Sequence, residues 1–228
     1  MSNEIADGIY WVGAHFSEPP PGFSINCFLI RDEKVAVIDT GAPVSCRFVI
    51  PNIKALVDPE DIDYVVITHA DVDHVGGLGA LLEEAPNATV LTSSYEARGI
   101  GYWGVKPQVK TVEDGETLSL GRHRLRFISA PYSCMPGTVL VFDETEGVLF
   151  SADLFAALGP SEWKLFADTD LTEMMRGVQE IKLGNTHHTK ASLTKVSSLP
   201  AKIIASSHGA MINSNIRGYT EALLADIS

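Results

Sequence analysis

Histidines and acidic residues are concentrated in one short stretch of the chain, His69-Ala-Asp-Val-Asp-His74. Four of these six side chains can bind a metal ion through an imidazole nitrogen or a carboxylate oxygen. Without a cation the carboxylates of Asp71 and Asp73 would repel each other, whereas two metal ions would attract both. A solvated acidic turn, with histidine as a cap, is the alternative for this stretch taken by itself. Gly76 and Gly77 follow at once and predict the close approach of another backbone segment.

Three further potential metal ligands each follow a short apolar segment that is typical of a buried strand. They are Cys134, Asp153 and His208. Strand ends on a rigid scaffold hold side chains to within a fraction of an ångström, which a metal site requires. We therefore predict one site for two metal ions. Its predicted ligands are His69, Asp71, Asp73, His74, Cys134, Asp153 and His208.

Apolar periodicity and turn residues predict the elements that must position these side chains. Predicted strands cover Ile9–Val12, Ser24–Ile30, Val35–Asp39, Tyr64–Thr68, Ala88–Thr92, Leu125–Ala130, Thr138–Phe142, Val148–Ser151 and Lys202–Ser206. Predicted helices cover Arg47–Val57, Val75–Glu84, Leu171–Leu183, Ala191–Ser198 and Asn215–Ala225. The strands form two groups, with helices interspersed and some hairpins. This order favours an α/β fold of two mixed β-sheets packed together, with helices outside, over a doubly wound parallel sheet.

The 228 residues include 17 basic and 29 acidic side chains, for a formal net charge of -12. Such a surface disfavours nucleic acids and anionic membranes as partners, because both are bound through clustered Lys and Arg. The acidic start lacks the features of a signal peptide, and no apolar run has the length of a membrane span. Three widely spaced cysteines do not indicate a disulfide framework. We expect a single cytoplasmic domain over residues 1–228.

The stretch Thr68–His74 resembles the signature Thr-His-x-His-x-Asp-His of metallo-β-lactamase-fold proteins. It differs at Asp71, which stands where the zinc hydrolases of this fold carry His. A carboxylate at that place, usually Glu, is typical of flavodiiron proteins, whose di-iron site lies in the same fold. Three more segments are similar to the family's ligand segments: Ala130–Thr138, with Cys134 at the His position, Leu149–Phe155, with the bridging Asp, and Ser206–Gly209, with the final His. The resemblance covers nearly the whole chain and implies an αββα sandwich.

The resemblance also implies how the ligands divide between two ions. One iron would be bound by His69, Asp71 and whatever replaces the missing His, the other by Asp73, His74 and His208, and Asp153 would bridge both. Three carboxylates, with a further negative charge if Cys134 is a thiolate, suit ions that cycle to the ferric state. We therefore expect iron. Zinc or manganese is the alternative, because these ligand types do not separate the metals cleanly.

Cys134 and Tyr132 lie on the segment that departs most from the family. A Cys134 thiolate could bind metal, or Cys134 could leave one ion open to a small ligand, and the alternative is an inert buried thiol. Tyr132 is a candidate catalytic residue that could face the metal pocket, and core packing is its alternative. Asp73 is the other candidate catalytic residue.

The remaining histidines and aromatic residues carry weaker signals. His15 follows the first predicted strand and could border the pocket, with the surface as the alternative. The adjacent His187 and His188 would face different ways on a helix, so a surface position is favoured over the pocket rim. His123, between two arginines at a turn, is predicted on the surface. Core positions are predicted for Cys27, Cys46, Trp11 and Trp163.

Three classes of function are compatible with these residues. In the first, which Asp71 and Cys134 favour, a di-iron centre binds O2 or reduces it slowly with electrons from a separate donor. The chain to Ser228 has no segment resembling the flavodoxin domain of flavodiiron enzymes. In the second, which the turn Pro136-Gly-Thr138 supports, a metal-bridged hydroxide hydrolyses an ester, thioester or lactone. The third is a signalling or scaffold module with a degenerate site. The expected partners are O2 or a similar small molecule, an electron-donor or signalling protein, and a second copy of the chain in a homodimer.

Overall fold

The structure is a computed structural model that describes residues 3–18, 22–158, 164–182 and 185–227. Within these ranges the strands are β1 (Asn3–Ala6), β2 (Ile9–Trp11), β3 (Ala14–Phe16), β4 (Phe23–Ile25), β5 (Phe28–Ile30), β6 (Val35–Ile38), β7 (Ile62–Val66), β8 (Thr89–Thr92), β9 (Gln108–Thr111), β10 (Thr117–Ser119), β11 (Arg124–Ser129), β12 (Val139–Asp143), β13 (Val148–Phe150) and β14 (Ile203–Ala205). The helices are α1 (Cys46–Lys54), α2 (Val72–Val75), α3 (Leu78–Glu84), α4 (Glu96–Ile100), α5 (Thr172–Lys182), α6 (Thr186–Ser197) and α7 (Ile216–Ala225).

The strands pair into two large mixed sheets and one separate hairpin. The first sheet has the order β1-β2-β5-β6-β7-β8-β9 and is antiparallel from β1 to β6 and parallel from β6 to β9. The second has the order β10-β11-β12-β13-β14 and is antiparallel except for the parallel pair β13 and β14. Strands β3 and β4 form the hairpin. The predicted pair of mixed sheets is therefore confirmed.

Buried apolar side chains form three clusters, which separate four layers. The middle cluster contains residues of both sheets, and the rings of Phe28 and Phe150 meet there with centroids 5.2 Å apart. A second cluster packs the other face of the first sheet against α1 and α3. The third packs the second sheet against α5, α6 and α7. The layer order is helix, sheet, sheet, helix, so the αββα sandwich inferred from the sequence is confirmed.

Strand β6 illustrates why the core strands form where they do. Its four residues Val35-Ala-Val-Ile38 are all buried, as is typical of a strand covered on both faces. Alternate side chains point to opposite faces of the sheet. Val35 and Val37 therefore join the cluster under the helices, whereas Ala36 and Ile38 join the cluster between the sheets. The chain leaves β6 directly into Asp39, at the edge of the sheet where β7 also ends.

The predicted strand Ser24–Ile30 is in fact two strands. The first, β4, pairs with β3 in the hairpin, whereas β5 pairs with β2 in the large sheet. Asn26 lies between them and is buried. Its Nδ2 donates to the carbonyls of Ser206 and Gly209 at 2.8 and 2.9 Å, and its Oδ1 accepts from the indole of Trp11 at 2.9 Å. This polar residue therefore ties the first sheet to the loop after β14.

The predicted helix Val75–Glu84 begins only at Leu78, as α3, and a separate short helix, α2, ends at Val75. Gly76 and Gly77 lie between them, and Gly77 N donates to Gly41 O at 2.7 Å. A Cβ atom on Gly77 would lie 2.3 Å from the carbonyl oxygen of Thr40, so only glycine allows this contact. The predicted close backbone approach is therefore confirmed. It presses the segment after β6 against the start of α3.

Other differences from the predicted elements have simple causes. Helix α6 begins at Thr186 rather than Ala191, because the Asn185 side chain caps it by accepting from His188 N at 3.2 Å. Strand β9, in the polar middle of the chain, was not predicted because all four of its residues are exposed. Strand β10 was not predicted for a similar reason, because its two end residues are exposed. The predicted end of a helix at Leu183 lies outside the described residues.

The prediction that His123 lies on the surface is wrong. Its side chain has no exposed area, and its Nδ1 lies 3.0 Å from Oδ2 of the equally buried Asp143. The turn that carries His123 is covered by the N-terminal turn at Gly8 and by the loop of Asp32, whose carboxylate accepts from His123 N at 2.6 Å. Two flanking arginines indicated exposure, but these long-range contacts override the local pattern.

Predictions for the other core candidates have mixed outcomes. Cys27 and Trp11 are buried as predicted, whereas Cys46 is only partly buried and donates weakly to Ala42 O at the start of α1. Trp163 lies outside the described residues. His15 is partly buried in the β3–β4 hairpin.

None of the helices within the described ranges is long and apolar enough to cross a membrane.

Candidate metal centre

The structure brings all seven predicted metal ligands together. Their donor atoms form three overlapping groups, and within each group the atoms lie within 4.8 Å of one another. The groups are His69, Asp71 and Cys134; His69, His74 and Asp153; and Asp73, His74 and His208. Because His69 and His74 each belong to two groups, the three groups make one continuous cluster. Its size and shared members suit two neighbouring metal ions.

Each ligand comes from the segment that follows a strand, as the sequence pattern predicts. His69 follows β7, and the chain then turns into α2, which carries Asp73 and His74. Asp71 is the N-cap residue of α2. The segments after β11, β13 and β14 in the other sheet carry the other three ligands, Cys134, Asp153 and His208. The two sheets are joined at this point, since Val139 N at the start of β12 donates to Thr68 O at 2.9 Å. The site therefore lies where strand ends of both sheets meet.

Three buried imidazoles point the same ring nitrogen into the cluster. The Nε2 atoms of His69, His74 and His208 have no hydrogen-bond partner of acceptable geometry. They face carboxylate oxygens instead, with Nε2 of His69 and His74 at 3.7 and 3.5 Å from Asp153, and Nε2 of His208 at 3.0 Å from Asp73. Leaving buried polar atoms without partners is costly. Metal ions between the imidazoles and the carboxylates would satisfy both, so the donor set fits a metal centre.

The opposite ring nitrogens fix the orientation of two of these histidines. His74 Nδ1 lies 2.9 Å from Asp39 Oδ2, and His208 Nδ1 donates to the carbonyl oxygen of Ser24 at 2.7 Å. A partner at Nδ1 that accepts the proton leaves Nε2 deprotonated and available to a metal ion. Asp39 also accepts from the backbone N and the hydroxyl of Thr68, both at 2.8 Å. It thereby holds the start of the ligand segment as well.

Asp39 was not among the residues predicted to take part in the site. Its sequence signal was present, because it follows the apolar strand β6 as the predicted ligands follow theirs. It was treated only as the end of a strand. The structure places it in direct contact with His74, and its backbone is in the left-handed region with φ 56°. Such a conformation is uncommon for a residue other than glycine and is often found at functional sites.

The electrostatics of His69 and Asp153 favour the protonation states that bind metals. Burial by itself would lower the pKa of His74, but the carboxylates of Asp39 and Asp153 hold it well above its usual value. Burial lowers the pKa of His69 to about 4, with a further contribution from His74, so this imidazole is neutral at pH 7. Burial by itself would raise the pKa of Asp153, but the close contact and charge of His74 hold it well below its usual value. Asp153 is therefore ionised. A neutral imidazole and a carboxylate are the forms in which these side chains bind metal ions.

The Cys134 segment is a tight loop with unusual backbone angles. Cys134 has φ 120° and Tyr132 has φ 61°, both in the region that favours glycine. Hydrogen bonds between Met135 and its neighbours hold the loop, with Tyr132 N donating to Met135 O at 2.9 Å and Thr138 Oγ1 donating to the same oxygen at 2.9 Å. The strained loop places the sulfur of Cys134 in the group with His69 and Asp71. This placement favours the metal-binding alternative over the inert thiol.

Tyr132 lies at the rim of the site. Its side chain is 40% exposed, and its ring packs against His188 with centroids 5.0 Å apart. His187 is exposed and contacts His188 with centroids 5.5 Å apart. The two histidines at the start of α6 therefore lie beside the Cys134 loop, with His188 partly buried. The catalytic roles of Tyr132 and Asp73 stay predictions.

Comparison with known proteins agrees with this geometry. The family model described as ODP family beta lactamase matches residues 23–209, which include all seven candidate ligands. The chain belongs to this family. The ODP-family match begins in β4 and ends just after His208, so it covers both sheets and every ligand-bearing segment.

Relatives of this ODP-family chain are flavodiiron-type proteins. The anaerobic nitric oxide reductase flavorubredoxin of Vibrio vulnificus is 31% identical over 245 residues, covering 99% of this chain and 49% of the relative. The putative diflavin flavoprotein A 1 of Nostoc sp. is 29% identical over 202 residues, covering 86% of this chain and 34% of the relative. The chain thus spans about half, or less, of the length of these curated relatives. The resemblance inferred from the ligand segments is confirmed.

A solved structure shows the same architecture. Rubredoxin oxygen:oxidoreductase from Desulfovibrio gigas superposes with a TM-score of 0.92 and 26% sequence identity, covering 100% of this chain and 61% of that chain. The entire described fold, including both sheets and the outer helices, therefore has a counterpart in that protein. The metallo-β-lactamase-like assignment of the fold is confirmed.

Proposed function

We propose that the chain holds a di-iron centre whose reduced form binds O2, or a related small oxidant, and reduces it slowly. The observation that carries this proposal is the donor set, in which three carboxylates and one thiol surround three buried imidazoles. The carboxylate of Asp71 stands at the position where zinc hydrolases of the fold have an imidazole. Relatives named as reductases of nitric oxide and of oxygen support the same chemistry.

The proposed ligand assignment follows the three groups of donor atoms. His69, Asp71 and Cys134 would bind one ion, which we call the first metal position. Asp73, His74 and His208 would bind the other, which we call the second metal position. Asp153 would bridge them, because its Oδ2 faces His69 whereas its Oδ1 faces His74 and His208. Two iron ions so held can exchange electrons with a bound oxidant.

The protein's own residues determine how a small ligand reaches the centre. His69, His74, His208 and Asp153 are fully buried, so bulk water is excluded from the interior side. The side chains of Asp71 and Cys134 are partly exposed, and that of Tyr132 beside them is exposed. Asp73 of the second metal position is also partly exposed, so a small oxidant would enter on the side where Asp71, Asp73 and Cys134 lie. For repeated turnover, the electrons would come from a separate donor protein. If the protein instead acts as a sensor that signals to a partner protein, a single reaction with the oxidant would be sufficient.

Hydrolysis, the alternative function, receives less support from the geometry. The sequence feature that supports it is the turn Pro136-Gly-Thr138. The backbone N of Gly137 donates to the carboxylate of Glu96 at 2.9 Å, and the hydroxyl of Thr138 donates to Met135 O. Two donors of the turn are therefore engaged within the protein and are not directed at the metal site.

Rapid mixing of the reduced, iron-loaded protein with O2 tests the proposed function. We expect near-ultraviolet and visible absorption to develop with one O2 consumed per di-iron centre, and little turnover until an electron donor is added. The zinc-loaded protein, assayed with esters, thioesters and lactones, provides the comparison and should hydrolyse them weakly. Efficient hydrolysis by the zinc form, combined with no O2 reaction of the iron form, would reverse the assignment.

A further inference from the structure

Glu96 is a buried carboxylate that lies next to the metal centre but belongs to none of its ligand groups. Its side chain is 2% exposed and lies at the first residue of α4. Oε2 accepts a hydrogen bond from Ala70 N at 2.8 Å, and Oε1 accepts one from Gly137 N at 2.9 Å. Ala70 stands between the candidate ligands His69 and Asp71. Gly137 stands in the loop that carries Cys134, so one carboxylate connects the two ligand segments.

The residues around Glu96 hold its carboxylate in position for the hydrogen bonds from Ala70 N and Gly137 N. A Cβ atom on Gly137 would lie 2.7 Å from Glu96 Oε1 and 2.6 Å from Ser93 Oγ, so this position accepts no larger residue without a shift. Ser93 fixes the other end of Glu96, because its Oγ accepts from Glu96 N at 3.2 Å. Helix α4 also packs on the ligand segment, since a Cβ atom on Gly99 would lie 3.1 Å from Ala70 Cβ. Glu96 is therefore held in place from its backbone and from both carboxylate oxygens.

The first metal position depends on two segments that come from different sheets. His69 and Asp71 follow β7 of the first sheet, whereas Cys134 follows β11 of the second. Their donor atoms meet within 4.8 Å only if these segments keep their relative positions. The second metal position is oriented by other contacts, from Asp39 to His74 and from the Ser24 carbonyl to His208. Neither of these two contacts involves Glu96.

We propose that Glu96 is the positioning residue of the first metal position, acting by clamping the His69–Asp71 segment to the Cys134 loop. The inference rests on the proposed metal centre. An ionised carboxylate is suited to this role because each oxygen accepts a strong, charge-assisted hydrogen bond from one backbone N–H. A glutamine of the same shape offers one acceptor oxygen, and its amide group would face the other N–H donor to donor. Glu96→Gln therefore breaks the clamp without creating a cavity.

Cobalt(II) titration of the metal-free protein tests the inference, because cobalt reports ligand type by its absorption and needs no O2. The wild type should bind two Co2+ ions, one with a sulfur-to-metal band that Cys134→Ser removes. In Glu96→Gln we expect about tenfold weaker binding at the first position, as is usual when a residue supporting a ligand is changed. The sulfur-to-metal band should weaken in parallel. Binding at the second position should stay within about twofold of the wild type.

Two control variants separate positioning from general loss of stability. Arg98→Ala changes an exposed side chain of α4 and leaves both carboxylate contacts of Glu96, so it should keep wild-type cobalt affinity at both positions. Glu84→Gln changes a surface glutamate that pairs with Lys54 and should have no effect on cobalt binding. If Glu96→Gln does not fold, Glu96→Asp replaces it, since a side chain shorter by one methylene cannot reach both N–H groups.

The possible results are distinct. Selective weakening at the first position in Glu96→Gln, with both controls unchanged, supports the clamp. Unchanged cobalt binding, equal weakening at both positions, or the same loss in Arg98→Ala overturns it. Failure of the O2 reaction in an iron-loaded protein that still shows the selective cobalt effect would overturn the proposed function but not the clamp.

Discussion

At the scale of single residues, the carboxylate of Asp153 lies between the two proposed metal positions. Its two oxygens face imidazoles of both proposed metal positions, and it is almost completely buried. A bridging carboxylate neutralises and holds two cations at once, so its removal weakens both positions together.

We therefore expect Asp153→Ala to lower iron binding from two ions per chain to less than one. Metal analysis of protein loaded under anaerobic conditions measures this directly. Asp168→Ala is the control, because that carboxylate pairs with Lys164 on the surface. Retention of both ions by Asp153→Ala would show that the ligand assignment is incorrect.

Asp39 provides a second residue-scale prediction. As aspartate it accepts the Nδ1 proton of His74, which leaves Nε2 free for metal. In Asp39→Asn the amide can present its N–H group to Nδ1, which favours the tautomer with a protonated Nε2. We expect metal affinity at the second position to fall about 10- to 100-fold, measured by competition with a chelator. Asp63→Asn, which changes a carboxylate that accepts from Val35 N, should leave the affinity unchanged. An unaltered affinity in Asp39→Asn would contradict the orienting role.

At the scale of secondary-structure elements, the two ends of β11 lead to different parts of the molecule. The end that leads to Cys134 carries a candidate ligand of the proposed metal centre. The other end begins at the turn of His123, whose imidazole packs against Asp143 at the end of β12. Asp143 also accepts from the backbone N of Glu146 at 3.1 Å in the following turn. The pair therefore connects the β10–β11 turn with the β12–β13 turn, six residues of strand away from the ligand loop.

We expect His123→Ala to lower the free energy of unfolding by about 1–3 kcal/mol, because it leaves a buried carboxylate without one of its donors. Urea denaturation measures the loss. Arg124→Ala, at a neighbouring exposed position, should change stability by less than about 0.5 kcal/mol. Metal content should be the same in both variants. A loss of metal in His123→Ala, or no loss of stability, would contradict the structural role given to this pair.

The local sequence predicted these elements better than it predicted their ends. Strands with buried faces, such as β6 and β7, were found because continuous apolar runs identify them. The division of α2 from α3 at Gly76 and Gly77 was not found, although the same glycines correctly predicted a close contact. The reason is that periodicity extends across the interruption, whereas the contact partner, Thr40, is distant in sequence.

At the scale of the whole molecule, the proposed metal ions join segments of both sheets. Three carboxylates gathered in one cluster, of which Asp153 is buried and Asp71 and Asp73 are partly exposed, repel each other, and cations remove that repulsion. A ligand that binds the folded state only stabilises it, by about 2.7 kcal/mol at a concentration one hundred times its dissociation constant.

Removal of the metals should therefore lower the melting temperature. For a chain of this size we expect a decrease of about 5–10 °C, since 1 kcal/mol corresponds to roughly 2–4 °C. Calorimetry of the iron-loaded protein before and after chelation under anaerobic conditions measures it. Asp153→Ala should show a smaller decrease, because it binds less metal. Equal melting temperatures of the two wild-type forms would count against a centre that connects the sheets.

The sequence by itself determined the fold class and the residue types of the candidate metal centre. Ligands concentrated between His69 and His74, and the recurrence of a donor after each apolar strand, are local patterns, and local patterns can be read without knowing how the chain folds. Only the tertiary structure decided which residues support the ligands. Asp39 meets His74, Glu96 meets both Ala70 and Gly137, and His123 becomes buried, in each case through residues 20 or more positions apart. Contacts of that kind depend on how the sheets pack, and no local pattern of residue types specifies them.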